Sequence, residues 1–328
     1  MARYKIKHIT HYFYNTPVYD SINQIMLYPV QDYYQRMDYL NIKISGNPQI
    51  QTFTDKYQNI LGIFNILEPH SQLNITSNIE VEVLPVPEPI INSSVEEQWQ
   101  TIASYKSDFL LRDFLEIEEI ESSESILNEV NTLLDYSQSP FENAKRFSSY
   151  IFNEFNYKQG VTSVETGVDI IWQMKAGVCQ DFAHILLTML RLVHIPARYV
   201  SGYICPKNHD LRGEGATHAW VEVFLPECGW IGLDPTNDCM ASDRHVRLAT
   251  GRYFSDCSPI KGIYKGSIEH RLEVTVIVEN SESKTRSPRH SFFSDNQLDK
   301  PSFISYSKNT EETISTPSYI QMQIQMQQ

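Results

Sequence analysis

A cysteine, a histidine and an aspartate in the second half of the chain stand in settings that could form a nucleophilic site. Cys179 follows Gly177 and opens a run in which apolar residues recur at helical spacing. A thiol at a helix N-terminus faces the positive end of the helix dipole, which favours the thiolate. His218 begins a segment that alternates like a strand, and Asp234 is followed by Pro235. The three side chains offer a nucleophile, a base and a group that orients the base.

Three secondary-structure elements must position these side chains. The run after Cys179 is apolar on almost every side, which predicts a buried central helix that ends before Pro196. Alternation predicts strands over residues 218–225 and 229–233. If these strands pair antiparallel, the histidine and the aspartate lie side by side. A helix packed on an antiparallel sheet is an α+β arrangement.

The residues around the three side chains resemble the transglutaminase-like superfamily of papain-type thiol enzymes, and in particular its bacterial branch. The resembling segments are GVCQDFAH at 177–184, IPARYVSGYI at 195–204, HAWVEVF at 218–224 and GWIGLDPT at 229–236. Residues 4–14 and 66–70 resemble the β-domain that precedes the catalytic core in this branch. The resemblance spans residues 3–280. It implies an α+β fold, with a papain/transglutaminase-like core preceded by a β-rich N-terminal domain, and the activity of a cysteine protease.

The resemblance implies that Cys179, His218 and Asp234 act as a catalytic triad. His218 would take the thiol proton, Asp234 would fix the imidazole tautomer, and the thiolate would attack an amide carbonyl to form a thioester. We therefore predict a thiol-dependent hydrolase or acyl transferase that cleaves peptide or isopeptide bonds. Two alternatives stay open: a protein-glutamine transamidase that crosslinks proteins, and a binding or scaffold protein that retains the fold without turnover. The absence of a D-x-[DN]-x-[DN]-G calcium loop favours hydrolysis over regulated crosslinking.

The predicted oxyanion needs hydrogen-bond donors. One should be the backbone N–H of Cys179. The superfamily often adds an upstream side chain, for which Tyr157, Gln159 and Trp172 are candidates, and the sequence does not choose among them.

Two polar residues just after the nucleophile are candidates for supporting roles. Asp181 and His184 lie two and five residues beyond Cys179. His184 could support the first helical turn or fill a polar gap near the site. The chain has no H-E-x-x-H motif and no paired cysteine spacing, so we predict no metal and no cofactor.

Composition and charge narrow the classes of partner. The net charge is −13 and the pI is about 5.2, and no Lys/Arg cluster supplies the basic face of a nucleic-acid binder. No stretch reaches the length of a membrane span. The N-terminus lacks the apolar region of a signal peptide, and the five cysteines are an odd number without C-x-x-C spacing. We expect a cytoplasmic protein whose partner is a peptide or protein substrate.

Shifts in composition predict three regions. Residues 1–85 are strand-rich and end in a stiff proline-rich connector. Residues 86–280 would form the catalytic core, and residues 281–328 a low-complexity, largely disordered tail. From residue 320 to residue 326 the tail alternates Ile or Met with Gln. This pattern favours either a strand that pairs with an exposed sheet edge or a flexible end without function.

Overall fold

The protein is described by a computed structural model that covers residues 1–205, 211–212, 216–266, 270–280, 304–307 and 320–323. The helices are α1 (Val95–Ser104), α2 (Ser123–Leu133), α3 (Pro140–Glu154), α4 (Val168–Met174), α5 (Cys179–Leu192) and α6 (Phe254–Cys257). The strands are β1 (Ala2–Ile25), β2 (Gln35–Ile44), β3 (Gln51–Thr54), β4 (Ile60–Ile66), β5 (His70–Val83), β6 (Asn156–Tyr157), β7 (Ala176–Gly177), β8 (Ala197–Ile204), β9 (Ala216–Leu225), β10 (Gly229–Asp234), β11 (Cys239–Met240), β12 (His245–Gly251), β13 (Ile260–Lys265), β14 (His270–Asn280), β15 (Ile304–Ser307) and β16 (Ile320–Gln323). No helix in these ranges is long and apolar enough to cross a membrane.

The part of the chain that carries the triad candidates is built on a five-stranded sheet in the order β11-β10-β9-β8-β12. All neighbouring strands in it run antiparallel. Helix α5 packs against β8 and β9, and α2, α3 and α4 pack on α5. Phe182, Leu186 and Leu190 recur every four residues along α5 and are fully buried. The predicted α+β core, with a central helix on an antiparallel sheet, is therefore confirmed.

Strand β1 organises the β-rich layer. Its first part pairs with β5 and β14, and its second part pairs with β4 and β13. The register shifts between Tyr19 and Ile22, where Asp20 has a φ of 50°. This irregularity bends the strand and lets one continuous segment serve two sets of neighbours.

Two strands of the β-rich layer come from the far end of the described chain. β13 and β14 lie within residues 260–280, which the predicted boundaries assign to the catalytic core, yet both pair with β1. Alternation in the sequence identifies such segments as strands. It carries no information about a partner about 250 residues away, because that choice depends on the whole sheet.

The five-stranded sheet is covered on both faces. Helix α5 covers one face, and the other packs on the β-rich layer through a second core that includes Tyr203, Val246 and Leu248 together with Ile6 and Tyr12. Strands buried on both faces read as continuous apolar runs. The IPARYVSGYI segment shows this pattern, since every residue of β8 except Arg198 is buried.

Most of the predicted tail, residues 281–328, lies outside the described residues. Its two described pieces form short strands. β15 pairs with β14, and β16 pairs with β13. The strand alternative for the end of the tail agrees with β16 over residues 320–323.

Candidate active site

The candidate nucleophile begins the central helix. Cys179 is the first residue of α5, it is a free thiol, and 1% of its surface is exposed. The preceding segment, β7, pairs in parallel with β6, so that Tyr157 lies opposite Gly177. The N–H of Lys158 also donates to the carbonyl of Gly177 at 2.8 Å. This short ladder fixes the chain that enters the helix at Cys179.

A buried carboxylate caps the same helix from within. Asp181 Oδ2 accepts the backbone N–H of Val178 at 2.8 Å and the hydroxyl of Thr162 at 2.6 Å. A Cβ atom on Gly177 would lie 2.7 Å from the Asp181 Cβ, so only glycine leaves room for the carboxylate. Burial raises the pKa of Asp181 to about 6, and its two hydrogen bonds oppose that rise. Asp181 therefore holds the backbone immediately before the nucleophile, which gives this predicted supporting residue a structural basis.

The sheet brings the predicted base and acid together. His218 lies in β9 and Asp234 ends the adjacent strand β10. His218 Nε2 is 2.8 Å from Asp234 Oδ2, and both side chains are fully buried. With Nε2 donating to the carboxylate, Nδ1 is the nitrogen left to take a proton from Cys179. Cys179 contributes to the electrostatics of His218, whose Nδ1 is buried and makes no hydrogen bond to any residue that the structure describes.

The charges of this pair support one another. Burial, the largest single contribution, lowers the pKa of His218, but the charge and hydrogen bond of Asp234 together with Cys179 outweigh it and raise that pKa to about 10. Burial would raise the pKa of Asp234, but the charge of His218 and hydrogen bonds from two histidines hold it well below its usual range. An imidazolium beside a carboxylate is therefore the stable form of this pair at neutral pH.

The carboxylate of Asp234 has three further partners that the sequence reasoning missed. Its Oδ2 lies 3.2 Å from His245 Nε2 and accepts the side-chain amide of Asn237 at 2.8 Å. Its Oδ1 accepts the N–H of Thr236 at 2.9 Å. The Asn three residues after the Asp is a turn signal that could have been read from the sequence. His245 offers no such signal, because it meets Asp234 only after the intervening chain folds back.

An indole ring forms a wall beside both histidines. Trp220 stacks on His218 at 6.1 Å between ring centroids and meets His245 edge-on at 5.1 Å. Two glycines make room for it. A Cβ on Gly202 would lie 2.7 Å from the Trp220 ring, and one on Gly232 would lie 3.4 Å from the indole nitrogen. These glycines in the IPARYVSGYI and GWIGLDPT segments thus let the indole fix both imidazole rings.

Of the three candidate oxyanion donors, Tyr157 lies in β6, whose partner strand β7 leads directly into Cys179. It is paired with Gly177, two residues before Cys179. Burial, followed by the charges of Cys179 and Asp234, raises the pKa of Tyr157 well above its usual value. Its phenol therefore keeps its proton and can act as a donor.

The other two candidates are placed differently. Gln159 is exposed in the turn after β6. Trp172 lies in α4, where its indole N–H donates to the hydroxyl of Ser125 at 3.0 Å and its ring packs on Phe155 and under the ammonium of Lys175. The only donor of Trp172 is thus already used within the helical layer.

His184 is directed away from the triad. Its Nε2 accepts the N–H of Phe254, the first residue of α6, at 3.2 Å, and its ring packs on Tyr199 and Tyr253. Burial, with a smaller contribution from the charge of Arg191, lowers the pKa of His184 to about 4. The neutral His184 side chain therefore links α5 to α6 through its hydrogen bond to Phe254.

The described residues also include one group with the ligand types of a metal site. Atoms of His218, Asp234 and His245 lie within 4.8 Å of one another. These are the atoms that hydrogen-bond within the triad, and all three side chains are buried. A metal ion held there would occupy the positions of the protons that the two histidines share with Asp234.

Two family profiles match the chain. The profile of the transglutaminase-like superfamily covers residues 130–235, which include the three triad candidates. The profile of the bacterial transglutaminase-like N-terminal region covers residues 4–82, which form strands β1 to β5.

Curated relatives and solved structures agree with these profiles. The uncharacterized protein Rv2569c of Mycobacterium tuberculosis is 32% identical over 289 residues, 84% of this chain and 92% of that protein. The uncharacterized protein ML0607 of Mycobacterium leprae is 29% identical over 283 residues, 84% and 98% of the two chains. A solved structure named Putative Cysteine Protease, from Cytophaga hutchinsonii, matches the fold with a TM-score of 0.67 and 17% identity, covering 90% of this chain and 94% of that one. The chain belongs to the transglutaminase-like superfamily, in its bacterial form with the β-rich N-terminal region.

Proposed function

We propose that this protein is a thiol-dependent hydrolase or acyl transferase that cleaves peptide or isopeptide amide bonds. Cys179, His218 and Asp234 would act as nucleophile, base and orienting acid. The observation that carries the proposal is the His218 Nε2 contact with Asp234 Oδ2 at 2.8 Å, which leaves Nδ1 of the same ring for the thiol at the start of α5. This is the arrangement that a nucleophile, its base and an orienting group require.

The reaction would proceed in two acyl-transfer steps. His218 Nδ1 takes the proton of Cys179, and the thiolate attacks the carbonyl carbon of the amide. The tetrahedral oxyanion then collapses to a thioester as His218 returns the proton to the leaving amine. Water, activated by the same histidine, hydrolyses the thioester and regenerates the thiol.

The oxyanion would be stabilised at the start of α5. Its backbone donor is the N–H of Cys179, which the Asp181 cap keeps in place by fixing Val178. The phenol of Tyr157 would supply the side-chain donor, since it is held beside the nucleophile and stays protonated.

Transamidation is a second candidate, favoured by one relative. A protein of Pseudomonas aeruginosa named protein-glutamine gamma-glutamyltransferase is 34% identical over 87 residues, which cover 25% of this chain and 13% of that protein. A primary amine in place of water would convert the same thioester into a new amide. Hydrolysis and transamidation would use the same triad and would differ only in the molecule that accepts the acyl group.

A labelling experiment with a small haloacetamide tests the nucleophile. Burial raises the pKa of the thiols of Cys205, Cys257 and Cys228, so these thiols should react slowly at pH 6. We expect mass mapping to find the label on Cys179 first. Cys179→Ala should remove this fast phase and abolish cleavage of a peptide library while the melting temperature stays close to that of the wild type.

The same samples separate the candidate functions. Cleavage without incorporation of a labelled amine supports hydrolysis, and amine incorporation supports transamidation. Equal labelling of all five cysteines at pH 6 would contradict the proposed nucleophile. A fast Cys179 without turnover on any peptide or amine acceptor would leave a binding role for a retained fold.

A further inference from the structure

A second histidine is joined to the acid of the triad. His245, the first residue of β12, is 5% exposed, and its Nε2 lies 3.2 Å from Asp234 Oδ2. That oxygen is the one that faces His218 Nε2 at 2.8 Å. Two imidazoles therefore share one carboxylate oxygen, with their ring centroids 6.1 Å apart.

The hydrogen bonds of His245 specify its tautomer. Its Nδ1 accepts the backbone N–H of Ser242 at 3.3 Å, so Nδ1 carries no proton. The proton of the neutral ring must then lie on Nε2, where it points at Asp234. His245 is thus a donor to the carboxylate without carrying a charge.

The surroundings keep His245 neutral. Burial lowers its pKa, the hydrogen bond and charge of Asp234 oppose this, and the positive charges of His218 and Arg244 lower the pKa further. A second imidazolium would also lose the Ser242 contact. The ring of Trp220, edge-on at 5.1 Å, restricts its rotation.

We propose that His245 is a positioning residue, which holds the Asp234 carboxylate in line with His218 by donating from Nε2 while its Nδ1 is anchored to the Ser242 backbone. The inference rests on the proposed function, because it concerns the same triad. His245 does not touch Cys179 in this role. It acts through Asp234, as the fourth member of a chain that runs Cys179, His218, Asp234, His245.

The consequence is a defined pH dependence for the thiol. When Asp234 is held against Nε2, the imidazolium of His218 is favoured, and a positive charge beside a thiol speeds its alkylation at low pH. When the His245 donor is lost, the carboxylate is free to rotate away. The imidazolium of His218 is then less favoured, and alkylation of Cys179 at low pH should slow.

The test is the rate of Cys179 alkylation by iodoacetamide between pH 5 and pH 9.5 in the full-length protein. His245→Phe keeps a ring but removes the donor, and we expect a rate about tenfold lower at pH 6, the effect of one hydrogen bond to a charged group. The gap should close near pH 9.5. His245→Gln keeps an N–H at a similar distance and should recover most of the rate at pH 6.

His8→Gln is the matched control. His8 is a fully buried histidine in β1 that shares a hydrogen bond of 2.9 Å with Tyr203 and lies in the core of the β-rich layer. Its loss should lower the melting temperature without moving the pH profile. If His245 had a purely structural role, its own variants would also lower the melting temperature without moving the pH profile.

The outcomes separate the inference from the proposed function. If wild-type Cys179 reacts no faster than the other cysteines, the proposed function fails. If it reacts fast and the profiles of folded His245→Phe and wild type coincide, the positioning role is overturned while the triad stands. If His245→Phe does not fold, His245→Gln and His245→Asn carry the test, because Asn is too short to reach Asp234 and should behave like Phe.

Discussion

Asp234→Asn is the substitution that most directly tests the geometry of the triad. Asp234 accepts from His218, His245 and Asn237 at Oδ2 and from the N–H of Thr236 at Oδ1. The amide of an asparagine has one acceptor and one donor group. Either the three donors or the Thr236 N–H must therefore face an NH₂ group. The substitution removes the charge and also leaves at least one buried donor unpaired.

The magnitude follows from the electrostatics of His218. The net rise of its pKa from 6.5 to about 10 corresponds to about 5 kcal/mol, which is what remains after burial opposes the contributions of Asp234 and Cys179. We expect the alkylation rate of Cys179 at pH 6 and the turnover to fall between about 10²-fold and 10⁴-fold. An unpaired buried donor adds about 2 kcal/mol of destabilisation.

The stability of the protein should respond to pH in a defined window. The pKa of Asp234 is lowered on folding, so its contribution is present above about pH 4 and is lost as the pH falls further. The pKa of His218 is raised, so its contribution is present below pH 6.5 and is lost as the pH rises through about 10. Urea unfolding should therefore show the largest difference between wild type and Asp234→Asn from about pH 4 to pH 6.5, and a smaller one near pH 10.

The control is Asp169→Asn, at a carboxylate that caps backbone N–H groups of Glu121 and Ser122 away from the triad. It should leave the alkylation profile unchanged. A folded Asp234→Asn protein with the alkylation profile and turnover of the wild type would refute the assignment of Asp234 as the orienting acid.

Four further substitutions separate the roles of neighbouring residues. Tyr157→Phe should lower turnover by about 10²-fold to 10³-fold without slowing alkylation, because it removes the proposed oxyanion donor. Trp172→Phe removes no such donor and should leave turnover unchanged. Steady-state kinetics on a cleaved peptide measures both effects. Asp181→Asn should slow alkylation of Cys179 by a few-fold, since its amide can cap Val178 only in one orientation, and the rate at pH 7 measures this. Gly202→Ala should lower the free energy of unfolding by about 1–3 kcal/mol, because its Cβ would collide with the backbone carbonyl of Val246 and also meet the ring of Trp220, and urea denaturation reports the loss.

The triad candidates could be found in the sequence because each stands where a local pattern begins or ends. Cys179 opens a continuous apolar helix, His218 falls within an alternating strand, and Asp234 ends the next one. Helix α5 and strands β9 and β10 were predicted to within a few residues for the same reason. Local patterns set these elements, and an antiparallel pair of adjacent strands then fixes the distance between His218 and Asp234.

What the sequence could not provide depends on contacts between distant segments. His245 reaches Asp234 only because the chain after β10 crosses the end of the sheet, where the N–H of Ala241 donates to the carbonyl of Gly232 at 3.0 Å. The choice among the oxyanion candidates likewise depended on the parallel pairing of β6 with β7, two segments of two residues each. Elements this short have no periodicity to read.

The β-rich layer is attached to an edge of the five-stranded sheet. Strand β12 is an edge of the five-stranded sheet, and amide side chains of the N-terminal region occupy its free backbone groups. Gln35 donates to the carbonyl of Arg247 at 2.8 Å and accepts its N–H at 2.7 Å, and Asn59 does the same for Thr250 at 2.7 and 2.8 Å. An edge strand satisfied in this way is protected from pairing with other chains. Because β12 begins with His245, the same contacts hold the strand that carries the second histidine, and Gln35 and Asn59 of the N-terminal region thereby support the candidate site.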